Sequence, residues 1–441
     1  MNRLISKYLF YYPVTSLKGE FVGPLLKKYR QNQFYTKERL RMEQQRNAIR
    51  LIEHARENTE FYSERLKGLV INDDNFWEVF SHIPFTKKSD LISSSEKMCA
   101  KKGLFTSSKT TGGSTGEPVK LLKNPGALAR ERAATWRSYE WAGVGIGDPQ
   151  GRFWGVPHSE VDSNKAKIID LVANRKRVSA FNLTKQSMAE YYITLKKFKP
   201  AYLYGYVSVL EVFANYIIDN DLPSFDFLKS VITTSEVLSE ASRIQIQSAF
   251  KVKVYNEYGC GEVGSIAHEC EKGSLHLMAD NLIVETLSGE STGELVITDL
   301  FNYAQPLIRY RVGDYATLSD EICDCGVCLP LISEVHGRAY DLISTSSERK
   351  IHPEAIMYLF EGLQAESKIF EQFQVVQKSM LDFEVRVIPT EKWQNMHKEK
   401  LSQLFKEHID PNAVVSFKIV HEIEREASGK LRVVKSEVRD G

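Results

Sequence analysis

The run Lys109-Thr110-Thr111-Gly112-Gly113-Ser114-Thr115-Gly116-Glu117-Pro118 concentrates glycines and hydroxyl side chains in a single loop. Glycine lets a backbone turn tightly and bring its N–H groups close to a ligand. The hydroxyls of Thr110, Thr111, Ser114 and Thr115 add donors at polyphosphate height. The competing reading is a flexible surface linker of Gly, Ser and Thr. The next residues, Val119-Lys120-Leu121-Leu122, read as a strand, which holds the loop inside a fold. A Walker A loop requires Gly-x-x-x-x-Gly-Lys-Ser/Thr running into a helix, whereas here Gly116 is followed by Glu117 and Pro118.

A second constellation is Cys323-Asp324-Cys325-Gly326-Val327-Cys328, with Cys270 and His276 upstream and His268 nearby. Thiolate and imidazole are zinc donors, and a closed structural site takes four of them. Cys270, His276, Cys323 and Cys325 make a Cys3His set that would tie two strand loops together. Cys328 can substitute for one ligand, and His268 is a weaker option. Reduced thiols without metal, or a redox pair, are the other readings. Six cysteines in 441 residues do not make a disulfide scaffold, and their clustering suggests thiols kept reduced.

The order Thr-Gly-Gly-Ser-Thr-Gly-x-Pro resembles the phosphate loop of adenylate-forming enzymes: acyl- and aryl-coenzyme A ligases, peptide-synthetase adenylation domains and luciferases. Further segments follow in that superfamily's order. They are Tyr258-Gly-Cys-Gly-Glu262, Gly293-Glu-Leu-Val-Ile-Thr-Asp299, Pro306-Leu-Ile-Arg-Tyr-Arg-Val-Gly-Asp314 with Gly337-Arg338, and Ser428-Gly-Lys430. Within the superfamily the chain looks most like the phenylacetate–coenzyme A ligase branch and its capsular-polysaccharide-biosynthesis relatives. The Cys-x-Cys-Gly at Cys323 and the terminal Ser-Gly-Lys-Leu-Arg carry that finer resemblance. Some relatives in that branch hold a comparable zinc site.

The resemblance implies carboxylate activation, in which a carboxylate attacks the α-phosphate of ATP and pyrophosphate leaves. Such a site must hold polyphosphate, bind Mg²⁺, grip the ribose and offset developing charge. By family position Thr110 to Gly116, with Gly112, Gly113, Ser114 and Thr115 between, cradle the β- and γ-phosphates. Glu262 is the magnesium ligand, and one carboxylate suffices because Mg²⁺ keeps phosphate oxygens and waters. Gly261 stands where the family usually has threonine. Asp314, an acceptor-only carboxylate, suits the two ribose hydroxyls. Arg338 reaches ribose or phosphate. Asn256, Tyr258 and Gly259, with Ser235, Glu236 and Val237, line the base. Lys430 is a mobile cation that would stabilise the adenylation transition state and then leave as the small domain rotates. The hinge is expected near Tyr340-Asp341, where Tyr340 replaces an acidic residue often found in relatives. The acyl pocket is expected near Trp154, His158, Tyr204 and Tyr206.

These residues need elements to position them. Length predicts more than one domain. Residues 1–100 read as a helical lead. From there to about 260, strands alternate with helices, which argues for layered α/β sheets with parallel strands and ligands at the strands' carboxyl ends. After Ser274, short alternating strands with glycine turns suggest an antiparallel, zinc-containing subdomain over about 275–335. The expected division is a large domain over 1–339 and a small α+β lid over 340–441. The net charge is +1, so no overall basic field points to nucleic acid. No apolar run approaches the roughly 20 residues that span a bilayer. No signal-peptide pattern opens the chain, and a cytoplasmic location is expected. Leu4, Tyr8, Leu9, Phe10 and Tyr11 read as a helix packed on the body, or as a patch for peripheral contact with membrane-bound assembly enzymes.

The combined expectation is an ATP- and Mg²⁺-dependent ligase, with structural zinc, that forms an acyl-AMP from a small-molecule carboxylic acid. Coenzyme A is the default acceptor, with a sugar amine or hydroxyl, or a carrier protein, as the alternative in a capsule pathway. A phosphate-loop kinase or ATPase would need the missing Gly-Lys-Ser/Thr. A non-catalytic zinc-stabilised nucleotide-binding module is the remaining alternative, and Glu262, Asp314, Arg338 and Lys430 together speak against it.

Overall fold

A computed structural model describes residues 1–100, 103, 105–111, 119–155, 160–181, 183–336, 343–347, 349–351, 353–364, 369–423 and 432–438. The loop residues 112–116, His158, Arg338, Tyr340, Asp341 and Lys430 lie outside them.

The lead is helical as expected. Its longest helix, Lys37–Asn58, starts at Thr36, whose hydroxyl accepts from the Arg39 amide at 3.3 Å, satisfying one of the helix's open donors. Leu40, Ala48, Leu51, Ile52 and Ala55 form its buried stripe. The N-terminal segment packs on the body through part of its apolar set. Tyr11 is buried and its hydroxyl accepts from Trp136 Nε1 at 2.7 Å, while Leu4, Tyr8 and Leu9 are exposed.

The strands β1 (Ser107–Thr111) and β2 (Val119–Lys123) pair as a hairpin at the base of the glycine-rich loop, with Thr110 opposite Lys120 and Thr111 opposite Val119. Next come β3 (Gln150–Trp154), β4 (Arg175–Ser179), β5 (Tyr202–Tyr206), β6 (Ser230–Thr234) and β7 (Lys253–Cys260). They pair in parallel in the order β4-β3-β5-β6-β7. Helices Glu160–Val172, Lys185–Phe198, Val207–Asp219 and Glu240–Phe250 make the crossovers, since parallel neighbours cannot be joined by tight turns. Every residue of β5 and β6 is buried, as a sheet covered on both faces requires. The chain runs from β3 out to β4 and returns past β3 to β5. This switch point opens a crevice at the strands' carboxyl ends.

In the main sheet antiparallel pairing begins at β8 (Gly264–Glu269), earlier than the expected 275, because residues 261–263 leave room only for a tight turn. It continues through β9 (Leu275–Leu277), β10 (Leu282–Thr286), β11 (Thr292–Asp299), β12 (Tyr310–Ser319) and β13 (Leu331–Val335). These strands extend the parallel ones into a single sheet of 11, ordered β10-β11-β12-β13-β9-β8-β7-β6-β5-β3-β4. The result is the expected mixed α/β class, with the antiparallel part built as a continuation of the parallel part.

After the short pair β14 (Ile343–Ser344) and β15 (Lys350–Ile351), the last block carries β16 (Phe370–Gln377), β17 (Asp382–Pro389), β18 (Val414–Ile419) and β19 (Val434–Ser436), ordered β18-β17-β16-β19. Helices Glu354–Leu363 and Asn395–His408 accompany them. Phe360 stacks on Phe373 with ring centroids 3.8 Å apart, and both are buried. Burial of such a side chain contributes roughly 1.5–3 kcal/mol. Among the described residues, no helix is long and apolar enough to cross a membrane.

Candidate active site and metal centre

A cleft of about 890 Å³ opens at the carboxyl ends of β3, β5, β6 and β7, closed on the far side by β12. Trp154, Tyr204, Ser235, Glu236, Val237, Asn256, Tyr258, Gly259, Glu262 and Asp314 all line it. Residues more than 150 positions apart in the sequence are thereby brought to one surface.

Two local devices aim the nucleotide-side residues. The β11–β12 register slips between Glu294 and Val296, so that Val312, Gly313 and Asp314 stand opposite Leu295. Gly313 takes a φ of +80°, a conformation that costs glycine little. Such a bulge redirects a side chain next to a site, and here it turns Asp314 toward the cleft. Asp314 Oδ2 then accepts a hydrogen bond from the Tyr258 hydroxyl at 3.1 Å. The second device is Ser235, directly after β6, with a φ of +69°. A left-handed non-glycine residue is strained, and strain of this kind clusters at ligand sites.

The phosphate-loop base is tied to the same place. Lys123, at the end of β2, is buried and its ammonium reaches Glu131 at 2.9 Å, the Val263 carbonyl at 3.1 Å and Asp299 at 3.7 Å. Burial opposes its charge, but Glu131 and Asp299 outweigh that and raise its pKa. Val263 follows Glu262 in the chain. The strand returning from the glycine-rich loop is therefore anchored beside the expected magnesium ligand. Neither Lys123 nor Glu131 is marked by a sequence motif, and Lys120, on the same strand, is exposed.

Some expectations change in detail. The Glu236 carboxylate accepts from the Ser208 amide at 2.7 Å and from its hydroxyl at 2.9 Å. It caps the helix Val207–Asp219 from a distance, since Tyr206 at the N-cap has no capping side chain, so its first role here is to fix the strand-to-helix turn. Tyr206 is fully buried beneath Trp154, with ring centroids 4.4 Å apart. It supports the pocket wall from behind and does not line the cleft, because consecutive aromatics on β5 and β3 stack into the core.

One residue was missed altogether. Glu257, on β7 between the expected Asn256 and Tyr258, lines the cleft with its carboxylate buried. The Tyr139 hydroxyl donates to it at 2.7 Å. Burial pushes its pKa up to about 7, against the hydrogen bond from Tyr139 and the attraction of Arg152. The signal was available: Tyr255 and Glu257 share one face of the strand by period-two alternation. An acid in an otherwise aromatic stretch is a buried-polar flag.

The four metal donors also converge. The ligand atoms of Cys270, His276, Cys323 and Cys325 all lie within 4.8 Å of one another. Cys270 and Cys323 sulfurs are 3.6 Å apart, and Cys325 Sγ lies 3.2 Å from His276 Nε2. His276 Nδ1 sits 3.0 Å from the Leu329 carbonyl, which fixes the tautomer that leaves Nε2 free as a donor. The Lys272 and Val327 amides donate to Cys270 and Cys325 sulfurs at 3.3 Å and 3.4 Å. This Cys3His set suits a tetrahedral zinc. It ties the β8–β9 turn to the loop before β13. Cys328 is exposed, with its sulfur 3.8 Å from the Gly326 carbonyl. His268 is buried on β8, where burial lowers its pKa to about 3 and keeps it neutral. Neither joins the tetrad.

The profile of the CapK C-terminal domain matches residues 343–437. Protein CapK of Staphylococcus aureus is 26% identical over 273 residues, covering 61% of each chain. The match thus spans less than two thirds of that relative's length. A phenylacetate-coenzyme A ligase of Thermus thermophilus is 25% identical over 339 residues, covering 70% of this chain and 72% of the other. In fold, the chain resembles 2-hydroxyisobutyryl-CoA ligase in complex with 2-HIB-AMP and CoA, with a TM-score of 0.55 at 20% identity, over 90% of this chain and 89% of that one. In sequence the chain is thus similar to Protein CapK and to a phenylacetate-coenzyme A ligase, its last block matches the CapK C-terminal domain, and its fold is that of an acyl-AMP-binding coenzyme A ligase.

Proposed function

We propose that this protein is an ATP-dependent carboxylate ligase: it forms an acyl-AMP with release of pyrophosphate, then passes the acyl group to coenzyme A. The observation that supports this most is the meeting of Asn256, Tyr258, Glu262 and Asp314 in one cleft beside the anchored base of the glycine-rich loop. In this reading Asp314, oriented by Tyr258, accepts from the ribose hydroxyls. Asn256 Oδ1, buried with no partner, is an open acceptor for the adenine amino group. Glu262 holds Mg²⁺, which when bound neutralises phosphate charge. Glu262 lines the cleft and precedes Val263, whose carbonyl Lys123 holds, which fits that role. Thr110 to Gly116, Arg338 and Lys430 complete the site by family position. The similarity to Protein CapK favours a second reading, in which a sugar hydroxyl or amine, or a carrier, is the acceptor and the reaction serves surface-polysaccharide assembly. The tetrad suits a structural zinc, since four protein ligands leave no open position for chemistry.

The test is product analysis with Mg·ATP and a pooled panel of aryl, fatty, hydroxy and amino acids. Acid-dependent AMP and pyrophosphate, trapped with hydroxylamine, is the expected result. Acid-independent ADP and phosphate would overturn the reading.

A further inference from the structure

The acid side of the cleft has a polar floor. Arg152 and Trp154 alternate onto one face of β3, and Arg152 stands opposite Tyr204 of β5. The Arg152 guanidinium lies 4.5 Å from the centroid of Trp154 and 5.0 Å from that of Tyr204, and all three line the cleft. Aromatic faces hold a cation in place without neutralising it. Among the described residues Arg152 has no ion-pair partner, and its Nε is buried without a hydrogen bond. Unsatisfied buried donors are rare and call for an explanation. Facing it is Glu257, whose acidity Arg152 raises without forming an ion pair. The Glu257 oxygens are served by the Tyr139 hydroxyl at 2.7 Å and by the Tyr204 hydroxyl.

A pocket for a plain aryl or alkyl chain would not keep an arginine and a glutamate in its floor, because burying charge is costly unless it is matched. Arginine only donates, and Glu257 already has its donors. What this floor lacks is an acceptor. We infer that Arg152, Glu257, Tyr139 and Tyr204 form the distal end of the acid pocket, and that the acid carries a second hydrogen-bond-accepting group, a carboxylate or hydroxyl, remote from the carboxyl that is activated. This rests on the ligase reading above and names its substrate class.

The experiment compares matched acids by calorimetric binding to the full-length protein with Mg·ATP analogue present: hexanoate against 6-hydroxyhexanoate and adipate, and phenylacetate against its para-hydroxy and para-carboxy derivatives. The expected result is a preference of about 10- to 100-fold for the acid with the second polar group, the scale of a charge-assisted hydrogen bond. Arg152→Gln should abolish that preference, and Arg152→Lys should restore part of it. Binding of the ATP analogue reports that each variant is folded. Equal binding within each pair, no binding of any polar acid, or a preference that survives Arg152→Gln would overturn the inference. Pyrophosphate exchange supported by hexanoate or phenylacetate in the same protein would show that the ligase reading stands even then.

Discussion

Tyr258 and Asp314 offer a sharp test of how the nucleotide end is built. If Asp314 grips the ribose, Asp314→Ala removes an acceptor for two hydroxyls. Hydrogen bonds to a charged group are worth about 1.5–3 kcal/mol each. Both residues are partly exposed, so solvent screening argues for the lower end, about 3 kcal/mol in all, or roughly 100-fold in ATP affinity. Tyr258→Phe removes the 3.1 Å bond that orients the carboxylate. At about 1 kcal/mol it should weaken ATP about five-fold. The decisive point is their coupling. In the Asp314→Ala background Tyr258→Phe should cost almost nothing, because its hydroxyl acts through the missing carboxylate. The assay is ATP affinity by calorimetry across the four proteins of the cycle, repeated with 2′-deoxy-ATP, for which only the two proteins that keep Asp314 should show a marked loss. Additive effects, or undiminished discrimination against the deoxynucleotide in Asp314→Ala, would refute the assignment of Asp314 to the ribose.

Metal analysis after purification without chelator should find about one zinc per chain, and Cys323→Ser should lose it along with several degrees of melting temperature; a metal-free wild type of unchanged stability would exclude the site. Glu257 predicts a pH dependence. Its folded pKa of about 7 lies above the ordinary carboxylate value of 4.5, so the native state holds a proton that the unfolded chain releases. Stability should therefore fall as pH rises from about 4.5 to about 7 and level off above, by an amount on the order of 3 kcal/mol. Glu257→Gln should flatten that slope in melting curves taken across the window, and an unchanged slope would show that Glu257 is not its source. Lys430→Ala should slow adenylation by about 10²–10³-fold while sparing acyl transfer from preformed acyl-adenylate; equal loss of both half-reactions would count against the mobile-lysine role.

Most of the architecture was legible because its signals are local. Alternating strands and helices announced the parallel half, and glycine-punctuated short strands announced the antiparallel half. Cysteine spacing brought out the tetrad, since ligands two residues apart can share one metal. The signals that failed were those set by tertiary context. That β8 continues the parallel sheet depends on a three-residue turn pairing it with β7, which periodicity cannot distinguish from the start of a new unit. Lys123 and Asp299 lie far apart in sequence, and only the fold makes them partners. Glu236 lines the cleft, but that its carboxylate also serves the bare N-terminus of the helix after β5 is set by the fold. Glu257 was hidden among neighbours with clearer family roles.

The position of β7 explains why both ends of the proposed reaction meet at one cleft. It pairs in parallel with β6 and antiparallel with β8, so it is the seam between the two halves of the sheet. Parallel neighbours deliver their carboxyl ends to one edge, which brings Trp154, Tyr204 and Thr234 alongside it. The antiparallel side returns through β12, which brings Asp314. Along β7 itself, successive side chains point to opposite faces. Glu257 turns toward Tyr139 and the acid floor, and Tyr258 turns toward Asp314 and the nucleotide. Two adjacent residues of one strand thus address two substrates. A one-residue slip of β7 would put either Tyr258 in the acid floor with Gly259 at the ribose side, or Asn256 in the floor with the Glu257 carboxylate at the ribose side. The Gly264 turn, with a φ of +89° and the Glu131 carboxylate where a Cβ would stand, pins that register at the end of the strand where both substrates must meet.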